Sequence, residues 1–286
     1  MDHWATLLAR CTFPPPGTDV TCAVSGGADS LALLVLAVAA GCRATAVHVD
    51  HGLRPGSADE ADIVRDAAAR VGASFLAEKA DVAPGPNLEA RARAARARVL
   101  PPGALTGHTA DDQAETVLLN LVRGAGLDGL AGMRAPGHPI LALRRADTEA
   151  VCEAEGLTPF TDPTNVAAVH RRNRVRAELL PLVDDIAQRD VVPVLARQAA
   201  LLRDEADALD TLAAALDPTD ARQLTAAPPA LARRAVRGWL VQGEDHPPDA
   251  ATVERVLAVA RNAAKSADVG GGRRVLRTRN VLRLEH

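Results

Sequence analysis

The sequence predicts an alternating α/β domain on a parallel sheet, followed by a smaller, mainly helical C-terminal domain. Three observations carry this. Up to about residue 186, short Val-, Thr- and Ala-rich runs alternate with longer Ala/Leu/Arg stretches, the pattern of βαβ units. The strand-like runs are continuously apolar, as in "ATAVHV" at 44–49, which suits strands covered on both faces. Beyond 186 the apolar residues recur at helical spacing. A chain of 286 residues has room for about two domains, and the expected division is 1–186 and 187–286.

In order, strands are expected at 19–24, 44–49, 74–78, 105–106 and 140–143, separated by helices at 30–40, 57–71, 88–100, 111–123 and 147–155. Past the boundary, Leu195, Ala199, Leu202, Ala206 and Leu209 line one face of a long helix at 191–216. Pro193 falls in its first turn, where a missing N–H costs nothing. Helices at 231–241 and 250–264 follow, and "VGGGRRVLRTRNVLRLEH" at 269–286 reads as a Gly-led hairpin.

Composition narrows the function classes. The net charge of −3 excludes a uniformly basic nucleic-acid coat. Tyr is absent and aromatics are 2%, so a base-stacking platform is not expected. The charge is unevenly spread: 221–286 carries 12 basic and 6 acidic side chains, against 21 and 30 in 1–220. An acidic body with a basic tail points to an anionic partner at the tail. Cys11, Cys22, Cys42 and Cys152 form no CxxC pair and have no His at ligand spacing, so neither zinc nor an iron–sulfur cluster is expected. No apolar run approaches the ~20 residues that span a bilayer. A cytoplasmic protein with no membrane contact is the expectation.

The first strand runs directly into Ser25-Gly26-Gly27-Ala28-Asp29-Ser30 and then a helix. Two glycines at a strand–helix junction let the backbone turn tightly and present successive N–H groups, and the helix N-terminus adds positive potential. Such a loop suits a pyrophosphate. A Walker A loop would need G-x-x-x-x-G-K-[ST], and the chain's two lysines, Lys79 and Lys265, lie elsewhere. A dinucleotide fingerprint is absent too.

The string S-G-G-x-D-S after a strand resembles the signature of the PP-loop ATP pyrophosphatases, with a Rossmann-like sheet. Further strings follow in order: "HVDHGLRPGS" at 48–57, "TGHTADDQAETVLLNLVRGAGLDGLAGM" at 106–133, "TDPTN" at 161–165 and "RRNRVRAELLPLV" at 171–183. Together they are similar to the tRNA(Ile)-lysidine synthases, in a short form with one C-terminal tRNA-binding domain. This resemblance implies an ATP-dependent ligase. It would join L-lysine to C2 of the wobble cytidine of a CAU-anticodon tRNA(Ile), with Mg²⁺ as companion of ATP and a homodimer as the assembly.

Residue by residue, the loop Ser25–Ser30 with His48 and Asp50 is expected to bind ATP. Asp29 and Asp50 are the first carboxylates for Mg²⁺, which takes oxygen ligands. On a helix, Asp111, Asp112 and Glu115 share one face, and three acids there suit a cationic amine; they are the expected lysine-binding and catalytic group, with Asp50. Thr109 and Asp112 also have capping-box spacing. Arg172 and Arg176 share a face, with Arg174 opposite, and the three are expected to grip tRNA together with Arg273, Arg274, Arg277 and Arg279. In "E-x-x-x-R-x-x-R" at 89–96, the Tyr that usually follows in the family is replaced by Ala97. The alternatives are a PP-loop cytidine thiolase, which would need paired cysteines, an amidotransferase-type synthetase, which would need an ammonia source, and a non-catalytic nucleotide-binding module, which would leave the acids idle.

Overall fold

The apolar runs of the first half form four parallel strands in the computed structural model, which describes residues 4–50, 57–82, 85, 88–160, 171–241 and 248–285. A short α1 (Ala5–Leu8) precedes β1 (Asp19–Ala23), followed by α2 (Ala28–Ala39), β2 (Arg43–Asp50), α3 (Ser57–Val71), β3 (Ser74–Lys79), α4 (Leu88–Val99) and β4 (Leu105–Thr106). The strand order is β3-β2-β1-β4. Asp19 pairs opposite Arg43 and Ala23 opposite Val47, while β2 and β3 pair from Thr45–Ser74 to Asp50–Lys79. The chain steps outward from β1 to β3, then returns to the far side of β1 as β4. That reversal opens a crevice at the carboxyl ends of the strands, where open α/β sheets bind ligands.

α2 is buried along Ser30–Ala37. An all-round apolar sequence is what a helix between two layers requires, and α2 packs against β1 and β2 as well as α7 (Arg145–Ala154). Leu31, Leu33, Leu34 and Leu36 are fully buried, each contributing roughly 1.5–3 kcal/mol of transfer free energy. α5 (Ala110–Val122) and α6 (Leu127–Leu130) lie before α7; α8 (Arg171–Arg174), a π-helical turn (Val175–Leu179) and α9 (Leu180–Ala187) follow it.

Two expected elements differ. The run at 140–143 is not a strand but a pair of turns, closed by Leu141 N–H to His138 and Leu143 N–H to Ile140. Its apolar side chains fill the core, Ile140 and Leu143 both fully buried, and the Leu143 carbonyl accepts from Ala110 N–H at the start of α5. Four apolar residues signal burial more surely than they signal a strand. The terminal hairpin is instead a three-stranded antiparallel sheet of β5 (Ser266–Gly270), β6 (Arg273–Thr278) and β7 (Val281–Glu285). β5 is poor in β-branched residues, which hid it, yet its Ala267 is buried opposite Val275.

The chain divides into two compact units, Met1–Ala200 and Leu201–His286, so the division falls within α10 (Val192–Ala213). The start of α10 belongs to the first unit because Val191, Val192 and Leu195 pack with Ala110, Ala114 and Leu118 of α5. The second unit has its own core, in which Leu224, Val236, Leu240, Val256, Leu257, Val275 and Leu282 meet. They come from α11 (Ala221–Ala226), α12 (Pro229–Val241), α13 (Ala250–Ala260) and the small sheet. Among the described residues, no helix is long and apolar enough to cross a membrane.

Candidate active site

The Ser25–Ser30 loop leaves β1 at the crevice. Gly26 has φ +85° and Gly27 is the N-cap of α2, so the backbone reverses where only glycine is relaxed. Ser30 is not the cap. It lies in the first turn of α2, its Oγ accepting from Ser25 N–H at 3.1 Å and donating to the Gly27 carbonyl at 2.9 Å. The side chain therefore braces the loop, and Ser30 N–H itself donates to the Gly27 carbonyl at 3.1 Å, so the N–H groups at the very start of α2 are the ones turned to an anion. Ala28 and Asp29 are part of that turn.

Asp29 ties the loop to a second cluster. Its Oδ1 accepts from Thr148 Oγ1 at 2.5 Å, and its Oδ2 lies 3.8 Å from Arg145 Nε. Burial pushes the Asp29 carboxyl above the usual carboxylate range and Asp112 adds to the effect, against the Thr148 hydrogen bond and the Arg145 and Arg176 charges. Gly107, after β4, closes the same junction: a Cβ there would stand 2.5 Å from the Asp29 carbonyl oxygen. This position accepts nothing larger than glycine without a backbone shift.

The second cluster is built on α5. Glu115 is wholly buried and accepts from three arginines: Arg145 Nη2 and Arg176 Nε at 2.9 and 2.7 Å on Oε1, and Arg172 Nε at 2.6 Å on Oε2. Asp112 Oδ1 accepts from Arg145 Nη2 at 2.9 Å and Arg172 Nη2 at 3.0 Å. Its Oδ2 accepts from Thr109 N–H at 2.9 Å, the capping contact expected from sequence, with His108 Nδ1 at 3.6 Å. Burial alone would raise the Asp112 carboxyl, but His108, Arg145 and Thr109 together outweigh it and hold it far below the usual range.

Asp111 does not join this pair. Its carboxylate accepts from Arg144 Nε and Nη2 at 3.0 and 3.1 Å and from Arg145 N–H at 3.0 Å. Of the predicted tRNA grip, Arg172 and Arg176 are turned onto carboxylates, while Arg174 is exposed and pairs with Glu178 at 2.8 Å. One-face sharing by Arg172 and Arg176 thus holds, with a protein partner that their spacing did not reveal.

His48 and Asp50 end β2 beside the loop. His48 is buried, with Nδ1 3.0 Å from the Val24 carbonyl. It lines a cavity of about 100 Å³ with Ala23, Val24, Ser25, Val47 and Glu60. Asp50 is half-buried at the strand end. His51 and "TDPTN" lie outside the described residues. Among the described residues no three His, Cys, Asp or Glu side chains gather as a metal site. Near the loop stand the carboxylates of Asp29, in the first turn of α2, and Asp50, at the end of β2; oxygen donors of this kind fit a Mg²⁺ that would keep waters and phosphate oxygens as its other ligands.

In the second unit, Arg274, Arg279 and Arg283 are exposed. Arg273 is buried, so it does not stand on the exposed face expected of a phosphate ligand. Arg277 clamps a turn, donating to the carbonyls of Arg279 at 2.6 Å and Ala260 at 2.5 Å and to Asn280 Oδ1 at 2.9 Å.

Arg145 and Thr148 were not read from the sequence as site residues. A signal was there: Arg144 and Arg145 open α7, where the helix dipole disfavours cations. Gln113, on the same helix, is structural, its amide exchanging two hydrogen bonds with the Met133 backbone at 2.8 and 3.2 Å.

A profile of the PP-loop domain family matches residues 3–183. A tRNA(Ile)-lysidine synthase from Nocardia farcinica is 42% identical over 280 residues, covering 91% of this chain and 88% of its own. The chain belongs to the tRNA(Ile)-lysidine synthase family. Its members from Rhodococcus erythropolis and Mycobacterium leprae are 44% and 45% identical, covering 80% and 77% of this chain and 75% and 74% of theirs. Membership makes the chain an ATP-dependent ligase. The U34-tRNA thiolase NcsA from Methanococcus maripaludis, a structure with a [4Fe-4S] cluster, superposes with a TM-score of 0.51 at 16% identity. It covers 66% of this chain and 73% of its own, a likeness of fold alone.

Proposed function

We propose that this chain ligates L-lysine to C2 of the wobble cytidine, position 34, of the CAU-anticodon tRNA(Ile), with ATP as the activating substrate. The C2 oxygen attacks the α-phosphorus of ATP and pyrophosphate leaves, giving an adenylated cytidine. The lysine ε-amine then forms the C2–N bond as AMP departs with the former C2 oxygen and the amine releases a proton. The product, lysidine, pairs with A in place of G and so moves decoding from AUG to AUA.

The observation that carries this reading is the direct coupling of the phosphate loop to the acid–arginine cluster through Asp29, Arg145 and Thr148. Phosphoryl-type transfer depends on positioning and charge neutralisation. The loop N–H groups take the departing pyrophosphate. Asp29 would hold a Mg²⁺, which would supply positive charge to offset that of the phosphates. Asp112 and Glu115 receive the lysine ammonium; before lysine arrives, the arginines neutralise them. Arg176, the most exposed of the three at 39%, is the one displaced, and Arg172 stays to hold the nascent phosphate. Arg274 and Arg279, with Arg283, meet the tRNA backbone.

The test is incubation of the protein with labelled lysine, ATP and a CAU-anticodon tRNA(Ile) transcript. Label fixed to tRNA with one pyrophosphate released per lysine is the expected result. Nucleotide binding without transfer would instead support a binding module.

A further inference from the structure

Thr148 of α7 is wholly buried, between Val151 and Cys152 of its own helix and the start of α2. A buried hydroxyl costs free energy unless it is bonded, and on a helix the usual partner of Thr is a carbonyl one turn back. That partner is present, the Arg145 carbonyl at 2.8 Å. A second acceptor is closer. Asp29 Oδ1, on the phosphate loop and 119 residues away in the chain, stands at 2.5 Å. A hydroxyl has one hydrogen to give, and a carboxylate at the shorter distance takes it. The bond therefore joins α7 to the loop and not α7 to itself.

The Asp29 backbone is held from two sides. Cys152 shares the Thr148 face of α7 one turn on, and its Sγ donates to the Ala28 carbonyl at 3.4 Å. Opposite, Gly107 approaches so closely that a Cβ there would meet the Asp29 carbonyl oxygen at 2.5 Å. With the backbone held and Oδ1 bound by Thr148, the oxygen left to a ligand is Oδ2. Arg145 Nε, 3.8 Å from Oδ2, is within ion-pair range but beyond hydrogen-bond length. The Asp29 side chain keeps 30% of its surface exposed, whereas Thr148 has none. Thr148 thus cannot touch a ligand and can act only through Asp29. A carboxylate with one oxygen committed and the other open suits a cation of strict geometry. Mg²⁺ is one, since it demands near-ideal octahedral placement of its oxygen ligands.

We propose that Thr148 is a positioning residue: it commits Asp29 Oδ1 and so leaves Oδ2 to the Mg²⁺ that accompanies ATP. The inference rests on the proposed use of ATP at the Ser25–Ser30 loop and adds the residue that orients its acid.

The test is equilibrium binding of ATP to the full chain while Mg²⁺ is titrated, and again in EDTA, for the wild type, Thr148→Val and Thr148→Ser. Valine has nearly the shape of threonine without the hydroxyl, and serine keeps the hydroxyl. In Thr148→Val the Mg²⁺ concentration for half-maximal ATP binding should rise about 10- to 100-fold, the range for losing a group that orients a metal ligand. ATP binding in EDTA should stay within about threefold. Thr148→Ser should remain within about threefold of the wild type in both measurements. An unchanged Mg²⁺ requirement in Thr148→Val overturns the inference. So does an equal rise in Thr148→Ser, which would assign the effect to the methyl group and its packing, or an equal loss in EDTA, which would assign it to the loop backbone. If Thr148→Val does not fold, as read by circular dichroism, Thr148→Ala carries the same prediction and the same contradictions. Wild-type ATP binding that ignores Mg²⁺ overturns this inference alone, whereas absence of ATP binding with and without Mg²⁺ overturns the functional reading as well.

Discussion

The two units use arginine in opposite ways. In the first, Arg145, Arg172 and Arg176 converge on Asp112 and the fully buried Glu115, every guanidinium held by carboxylates within 3.0 Å. In the second, Arg274, Arg279 and Arg283 stand exposed on a small sheet and its turn, while Arg277 is tied to backbone carbonyls. The same residue type is a fixed element of a polar core in one place and an open contact in the other. Burial decides which. A desolvated guanidinium needs a full set of acceptors, and an exposed one keeps water until an anion arrives. Sequence charge counts see only the net difference between the regions.

The comparison breaks most visibly at Glu115. Replacing it with Ala leaves three guanidinium groups facing a cavity, and breaking a buried ion pair costs about 3–5 kcal/mol. Urea denaturation should record a loss of that size for Glu115→Ala. Arg279→Ala should stay within about 0.5 kcal/mol of the wild type, as surface substitutions do. Similar losses for the two would erase the distinction.

A smaller effect is confined to the first unit and depends on pH. Burial, with the nearby His108, lowers His138 from 6.5 to about 4, Asp112 acting the other way. A depressed folded value means that the unfolded chain binds the proton more tightly. The stability from His138 is complete above about pH 6.5 and is lost as the pH falls toward 4. In His138→Phe the part of the acid-side decline between those values should flatten. A decline of unchanged slope would show that other groups cause it.

The smallest effect on stability should come with the clearest effect on binding. Arg274→Gln, Arg279→Gln and Arg283→Gln together should leave denaturation midpoints nearly unchanged. The salt dependence of tRNA binding should flatten by about 0.7–0.9 in log–log slope for each phosphate contact removed. A slope equal to the wild type would remove these residues from the interface.

Much of this was legible in the sequence. Parallel strands and the helices between them follow from apolar runs and period, and the phosphate loop from Gly26 and Gly27 at a strand end. The shared helix face of Asp112 and Glu115 follows from their spacing, and the two carboxylates do meet the same arginines. What was not legible is who meets whom. Arg145 is thirty residues from Glu115, and Arg172 and Arg176 are 57 and 61 residues away, so no local spacing encodes these pairs. Asp111 and Asp112 are adjacent, yet successive residues on a helix diverge by 100°, and one serves Arg144 while the other serves Arg145 and Arg172. The strand β5 was missed for a different reason: Ser, Ala and Asp carry little β-propensity, and the strand is imposed by pairing with β6.

The division of labour between the two sets of arginines is tested most directly by steady-state kinetics of ATP-dependent lysine attachment to tRNA, comparing Arg172→Lys with the Arg274/Arg279/Arg283 triple substitution. Lysine keeps the charge but cannot give the two-pronged contact to Asp112 and Glu115. Arg172→Lys is therefore predicted to lower kcat at least tenfold with tRNA affinity unchanged, while the triple variant raises KM for tRNA and keeps kcat within about twofold. The same kinetic change in both variants, or a KM effect confined to Arg172→Lys, would contradict the account.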